Sequence, residues 1–306
     1  MLYISENEDF RLKNTAVSLG KFDGIHRGHR LLIDQIINEK KNKYTSVVFT
    51  FSLHPKCLFS DKELELIDTE EEKKEKLENM GVDVLISYPF TKETAGMEPE
   101  EFVKDVLVNQ LDAKIIVVGS DYRFGSHRKG DVALLERLSK IYGYQLIVFD
   151  KLVIRDQIVS STLIRNEISK GNMEFVTELL GEPYRIKSEI IYGNQLGRTI
   201  GVPTINQVVP SNKLLPPNGV YTSKVYVDGK SYYGVTNVGY KPTVSDKLVK
   251  GIETNIFDFE GDLYGQVIEV ELMSFLRPEQ KFDSLDELKN QIAVDSKAAR
   301  DYFDKL

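Results

Sequence analysis

Two histidines three positions apart, His26 and His29, sit in GKFDGIHRGHR, residues 20–30, directly after the apolar run TAVSLG. Imidazoles at that spacing share a helix face, which suits a bound metal, proton transfer or a grip on an anion. Zinc needs a third ligand, and the only other histidines are His54 and His127, with no H-E-x-x-H pattern and Cys57 as the single cysteine. The plain alternative is a pair of exposed residues in a helix's first turn. The setting favours the anion: a strand, a turn containing Gly20 and Gly24, and Gly28 at a helix entrance. Backbone amides at such an entrance attract phosphate, and glycines let the backbone approach it.

Two more segments carry matching chemistry. GSDYRFGSHRKGD, residues 119–131, follows the strand-like KIIVVG, and SSTLIR, residues 160–165, opens a helix ending at Gly171. Singly, Ser161 or Thr162 is an N-cap, Arg165 a surface residue and GSDYRFG a turn. Together with the histidines they supply hydroxyls, a guanidinium fork and amides, a cradle for a triphosphate. Further along, GNQLGRTIGVPTIN, residues 193–206, superficially resembles a P-loop. Its second glycine comes one residue early, Arg198 replaces lysine, and Gly201 with Pro203 prevents the helix that a P-loop opens. Thr204 and Asn206 nevertheless place two neutral oxygen ligands close together, suited to Mg2+ and phosphate. Glu253, expected at the start of a strand before a hairpin, is a solvated residue in isolation, or a proton acceptor for an attacking alcohol if it faces that pair.

The elements that must position these groups differ between the two halves. To about residue 180, short β-rich runs (TAVSLG, SVVFTF, VDVLISY, KIIVVG, YQLIVFD) alternate with helical patterns, which predicts a parallel sheet with flanking helices. Ligands of such sheets bind at the strands' carboxyl edge, where both the histidine turn and GSDYRFG fall. The charged run 70–78 reads as a solvated helix face. After LLGEPY the texture changes to turn-bounded strands. A hairpin closes at Asp228-Gly229, and 252–276 repeat that arrangement around EGD at 260–262, so a small antiparallel barrel is expected. A terminal helix follows, with a Ser284/Glu287 capping box and a Leu285, Leu288, Ile292 stripe against the barrel. The expected division is 1–182 and 183–306. With 306 residues, net charge −7, a polar start and no long apolar run, the chain reads as a soluble cytoplasmic protein with no membrane or nucleic-acid partner. Small anionic ligands remain open, and no obligate protein partner is evident.

The first half's G-x-F-D-G-x-H-x-G-H resembles the H-x-G-H signature of the nucleotidyltransferase superfamily, which implies a Rossmann-like α/β fold and attack of a substrate phosphate on the α-phosphorus of a nucleoside triphosphate. The second half's G-R-T-x-G-x-P-T-x-N, NVGYKPT, E-T-x-I-x-D-F-x-x-D-L-Y-G and FLRPEQKFDSLDEL, in this order, resemble riboflavin kinase. Over roughly residues 15–303 the chain is similar to the bacterial bifunctional riboflavin kinase and FMN adenylyltransferase family, also called FAD synthetases. The resemblance implies riboflavin, FMN, FAD and ATP as ligands, with Mg2+. It also implies His26, His29, Arg165 and Glu253 as catalytic groups. Gly20, Phe22, Asp23, Gly28, Asp121, Ser161 and Thr162 would bind ATP in the first half. Gly193, Gly197, Arg198, Gly201 and Pro203 would do so in the second, Thr204 and Asn206 would serve the metal, and Arg277 would order the flavin site. Departures are Ser188 for a frequent glycine, Ile205 for alanine, Asn255 for histidine, and Ser-Leu within FSLHP for Glu-Pro. Rival readings are another small-molecule nucleotidyltransferase with an accessory barrel and a non-catalytic flavin sensor; a tRNA synthetase lacks support, since no K-M-S-K-S-like segment is present.

Overall fold

The computed structural model describes residues 1–52, 65–193, 201–242 and 248–305. Gly197 and Arg198, His54 and Cys57 lie outside the described residues. The chain folds into two compact units, Met1–Ser161 and Thr162–Leu306.

The first unit runs β1 (Leu2–Ser5), β2 (Thr15–Leu19), α1 (Arg27–Asn38), β3 (Thr45–Phe51), α2 (Glu70–Met80), β4 (Val84–Tyr88), α3 (Lys92–Gly96), α4 (Pro99–Glu101) continued by a π-helical run (Phe102–Gln110), β5 (Ala113–Gly119), α5 (Val132–Tyr142), β6 (Gln145–Phe149) and a small ribbon of β7 (Val153–Ile154) and β8 (Gln157–Ile158). The six long strands form one all-parallel sheet in the order β1-β4-β3-β2-β5-β6. Its central strands are buried on both faces, and the period-two alternation sorts them. Val17, Val47, Ile86 and Ile116 pack on one side with Phe102, Val106 and Leu135; Ala16, Val48, Leu85 and Val117 pack on the other with Ile33, Ile36 and Leu77. Each buried Val, Leu, Ile or Phe among them contributes about 1.5–3 kcal/mol. After β2 the chain winds outward through β3 to β4, then returns to lay β5 on the other side of β2. The order therefore reverses between β2 and β5, and a crevice opens beyond their carboxyl ends.

One expectation fails here. The run 70–78 is not a solvated face: Glu72, Lys73 and Lys76 of α2 are buried along with Leu77. Charge alternation hides this inward face, because a lysine stem packs as a hydrophobe once its ammonium finds a carboxylate. Lys73 pairs with Glu70 at 2.8 Å and Lys76 with Asp68 at 2.7 Å. Strand β1 also went unpredicted, since LYIS is short and sits at the sheet edge beside β4.

The second unit contains α6 (Ser161–Ser169, whose first residue belongs to the first unit), α7 (Met173–Leu180), β9 (Tyr184–Ile191), β10 (Ile205–Val208), β11 (Gly219–Val227), β12 (Lys230–Pro242), β13 (Leu248–Ile256), β14 (Val267–Pro278) and α8 (Leu285–Phe303). Six strands close an antiparallel barrel in the order β10-β13-β12-β11-β14-β9. Asp228 and Gly229, both at positive φ (49° and 74°), make the β11/β12 hairpin as expected. The 252–276 stretch does not repeat it: β13 pairs with β10 and β12, while β14 pairs with β11 and β9. Closure gives each strand two neighbours, so the 257–266 connection crosses between non-adjacent strands. Glu253 accordingly lies within β13 rather than at its start.

The barrel interior is partly polar. Thr236 Oγ1 donates to Ser223 Oγ at 2.8 Å and lies 2.8 Å from Thr254 Oγ1, all fully buried. Helix α8 begins as expected, Ser284 Oγ accepting from the Glu287 amide at 3.2 Å. Its packing differs from the expected stripe, for Leu285 is exposed and the buried positions are Asp295, Ala299 and Phe303. A buried aspartate on a helix needs a partner, and Arg277 of β14 supplies it in a fork: Nε at 2.9 Å from Oδ1 and Nη2 at 2.8 Å from Oδ2.

Candidate functional sites

The histidine turn fills the crevice side of β2. His26 is the N-cap of α1, extended at φ −76°, and its Nδ1 accepts from the His29 amide at 3.1 Å. His29 Nδ1 lies 3.1 Å from the Gly24 carbonyl oxygen, which only accepts, so that nitrogen carries the ring hydrogen. The rings stack at 3.6 Å, and Phe22 tilts against His29 at 5.1 Å. Desolvation pushes the His26 pKa down from 6.5 to about 2, with His29 adding to it, and pushes that of His29 to about 4 despite the Gly24 carbonyl and the Asp23 and Asp68 carboxylates. Both rings are therefore neutral near pH 7. This refines the expectation of two donors: near pH 7 His26 offers an Nε2 hydrogen and His29 an Nε2 lone pair.

Local sequence explains the shape. Gly24 sits at φ 63°, and a Cβ there would lie 2.7 Å from Ile67 Cγ2. Asp23 Oδ1 accepts from the Ile67 amide at 2.9 Å, so this buried carboxylate is occupied in holding the turn. Ser161 Oγ donates to the Asp23 carbonyl at 2.7 Å, tying the last residue of the first unit to the same turn. Gly20 and Gly28 leave room beside the rings of Phe22 and His26. Asp121 follows β5, the strand next to β2, and pairs with Lys151 at 2.9 Å. Thr162 is exposed and Arg165 half-buried; both belong to the second unit. Asp68 and Lys76 were missed by sequence reasoning, and the only signal was a lysine four residues before the end of an otherwise charged helix.

In the barrel, register does what spacing could not. Asn206 of β10 and Asn237 of β12 both lie opposite Glu253 of β13, and opposed residues share a face. Ile252, Thr254 and Ile256 are buried on the alternate side. Thr204 Oγ1 donates to Glu253 Oε1 at 2.6 Å, so the proposed base and the metal-side hydroxyl are brought together. Gly193 packs on this group: a Cβ there would fall 2.5 Å from the Asn206 amide carbon. Asn255, the departure from the family's histidine, donates to the Pro203 carbonyl at 2.8 Å and steadies the approach to Thr204. Gly201 takes φ 77° in the same approach. Arg277 points instead to Asp295 and the Pro278 carbonyl. Asn237 is the residue that sequence reasoning quoted within NVGYKPT without singling out.

Two hollows adjoin this group. One, of about 290 Å³, is lined by Thr204, Ile190, Thr254, Leu263 and Tyr264 among others. The other, of about 810 Å³, runs between the residues after β13 and helix α8, and the two share Pro203, Ile256, Phe259 and Glu260. Among the described residues there is no cluster of three or more His, Cys, Asp or Glu able to hold a metal. No described helix is long and apolar enough to cross a membrane.

Comparison with known proteins identifies both halves. A family model for FAD synthetase matches residues 9–163, and one for riboflavin kinase matches residues 180–303. The bifunctional riboflavin kinase/FMN adenylyltransferase of Bacillus subtilis is 37% identical over 300 residues, covering 95% of this chain and 93% of that protein. Its counterpart in Escherichia coli is 37% identical over 292 residues, covering 94% and 92%. A crystal structure described as a macrolide-efflux protein from Streptococcus pneumoniae, a description that neither family model shares, superposes with a TM-score of 0.87 at 32% identity, covering 98% of this chain and 99% of that one. The chain belongs to the bifunctional riboflavin kinase/FMN adenylyltransferase family.

Proposed function

We propose that the chain makes FAD in two steps at two separate sites, a kinase step in the barrel (183–306) and an adenylyl transfer on the parallel sheet (1–182). The observation that carries this reading is the Thr204–Glu253 contact in the half that matches riboflavin kinase, beside the neutral histidine stack in the half that matches FAD synthetase.

In the kinase step the riboflavin 5′-hydroxyl oxygen bonds to the γ-phosphorus of ATP, the β–γ bridging bond breaks, and ADP leaves. Glu253 accepts the hydroxyl proton. Two adjoining hollows meeting at Pro203 suit two substrates, a flavin and a nucleotide. The donor set fits Mg2+: Thr204 and Asn206 are neutral oxygen donors, Glu253 is anionic, and few protein ligands leave room for phosphate oxygens. When bound, the ion neutralises charge on the phosphates. Gly193, Gly197, Arg198, Gly201 and Pro203 bind the nucleotide. Arg277, fixed by Asp295, orders the end of β14 beside the flavin site.

In the second step an FMN phosphate oxygen bonds to the α-phosphorus of ATP and pyrophosphate leaves. The His26 Nε2 hydrogen is donated to the triphosphate. His29 takes up a proton as the anion approaches, because a nearby negative charge favours imidazolium, and then donates as well. Gly20, Phe22, Asp23 and Gly28 shape this turn, and Asp121 and Ser161 join it in the ATP site. Both substrates belong to the cytoplasm, where we place the protein.

Incubation with riboflavin and Mg-ATP, followed by separation of flavins over time, tests the reading. FMN appears first and FAD follows. No flavin product from labelled ATP at saturating Mg2+ overturns it.

A further inference from the structure

The buried charged face of α2 has no place in either step as described so far. Its residues close on the histidine turn from the opposite side. Asp23 Oδ1 accepts from the Ile67 amide at 2.9 Å, and in return Asp68 Oδ2 accepts from the Ile25 amide at 3.1 Å. Ile25 immediately precedes His26. Asp68 Oδ1 is held by Lys76 Nζ at 2.7 Å, with side-chain exposures of 1% and 5%, so the pair is sealed from water. Ile67 fills the space that any side chain at position 24 would need. The segment before α2 and the turn before α1 thus exchange two carboxylate-to-amide hydrogen bonds, and an ion pair fixes one of the carboxylates.

Stability alone accounts poorly for such an arrangement. A buried ion pair recovers little more than its own desolvation cost, and apolar residues of the same volume stabilise as well or better. What a hydrogen-bonded charge pair supplies is direction, and the groups so directed are the two Nε2 atoms of the histidine stack. We propose that Asp68, held by Lys76, is a positioning residue for adenylyl transfer, fixing the Gly24–His26 backbone and with it where the His26 and His29 rings point. This rests on the assignment of adenylyl transfer to the histidine turn.

A second consequence separates positioning from general support. His29 feels Asp23 and Asp68 as favourable charges, and Lys73 as an unfavourable one, with burial the dominant influence. Removing the Asp68 carboxylate therefore makes His29 harder to protonate.

The test uses the full chain with Asp68→Asn, Lys76→Met and the double variant. Wild type that makes FMN but no FAD overturns the parent assignment; the variants then have nothing to report on. With an active wild type, each single variant is expected to lose thermal stability, since each breaks the buried Asp68–Lys76 ion pair. The double variant, which removes both charges of that pair, is expected to regain it. Adenylyl transfer from supplied FMN should fall about 10- to 100-fold in kcat in the double variant, with KM for ATP changed less than about 3-fold, as expected for misplaced reacting groups. Its alkaline limb in the pH profile, set by loss of the His29 proton in the complex, should move to lower pH, while riboflavin phosphorylation stays at the wild-type rate. Adenylyl transfer that recovers together with stability, or an unmoved alkaline limb, overturns the inference.

Discussion

On the proposed assignments, the two candidate sites meet the same problem, charge developing on phosphate, with opposite constructions. On the parallel sheet the chemistry sits in the backbone path: a turn, a helix entrance and two rings whose Nδ1 atoms are both engaged within it. In the barrel it sits across strands: Thr204 reaches Glu253, and Asn206 and Asn237 flank that carboxylate in register on two neighbouring strands. The first site is local in sequence and buried, so its groups are neutral before substrate arrives. The second is non-local and half-exposed, and its base stays close to water. A desolvated imidazole is neutral at pH 7, whereas a half-exposed strand carboxylate keeps access to solvent.

The sharpest way to break the comparison is to remove one chemistry and watch the other. Glu253→Gln is expected to slow riboflavin phosphorylation by about 10³-fold or more while FAD formation from supplied FMN continues, since a positioned base is worth about 10²–10⁴. Equal loss of both steps in a folded variant would contradict two sites. His29→Ala should do the reverse at slightly smaller size, about 10²–10³ in adenylyl transfer with phosphorylation intact, as for the loss of one transition-state donor.

Next in size comes pH. Both folded histidine pKa values, about 2 and about 4, lie below the 6.5 of an unfolded chain. Acid therefore protonates the unfolded state first, so the stability linked to these rings is full above pH 6.5 and is lost as pH falls toward 4. At pH 5 the loss amounts to about 2 kcal/mol per histidine, at roughly 1.4 kcal/mol per pH unit. Urea unfolding at pH 7 and pH 5 measures it, and His26→Gln/His29→Gln should flatten the slope. An unchanged slope would show that the stack is not desolvated. The smallest effect is expected for Thr204→Val, which deletes the hydroxyl on Glu253 and should slow phosphorylation about 10-fold, the scale of one hydrogen bond to a charged group. A rate unchanged in initial-velocity assays would leave Glu253 independent of Thr204.

Legibility followed the same divide. TAVSLG, the Gly24 turn and the helix from residue 27 are consecutive, so strand, turn and entrance were readable; the helix over 99–110 was readable too, without its π-helical geometry, and edge strand β1 was lost because so short a run leaves little period. In the barrel the Asp228-Gly229 hairpin was readable because turn chemistry is local. The partners of β13 were not, since closure is settled by all six strands together. The stripe on α8 failed for a related reason: its N-terminal leucine is exposed, and the contact is made further along by Ala299, by Phe303 and by Asp295 through Arg277, the last a polar choice that hydropathy cannot score.

By itself the sequence determined the two-part architecture and the alternation of strands and helices in its first half, and it nominated candidate reacting side chains, because these depend on periodicity, turn residues and short motifs. Only the tertiary structure decided that Glu253 meets Thr204, that each histidine keeps a single usable nitrogen, and that Lys76 and Asp68 face inward. Those facts rest on register, desolvation and reciprocal hydrogen bonds between segments some 40 residues apart, and no local pattern encodes them.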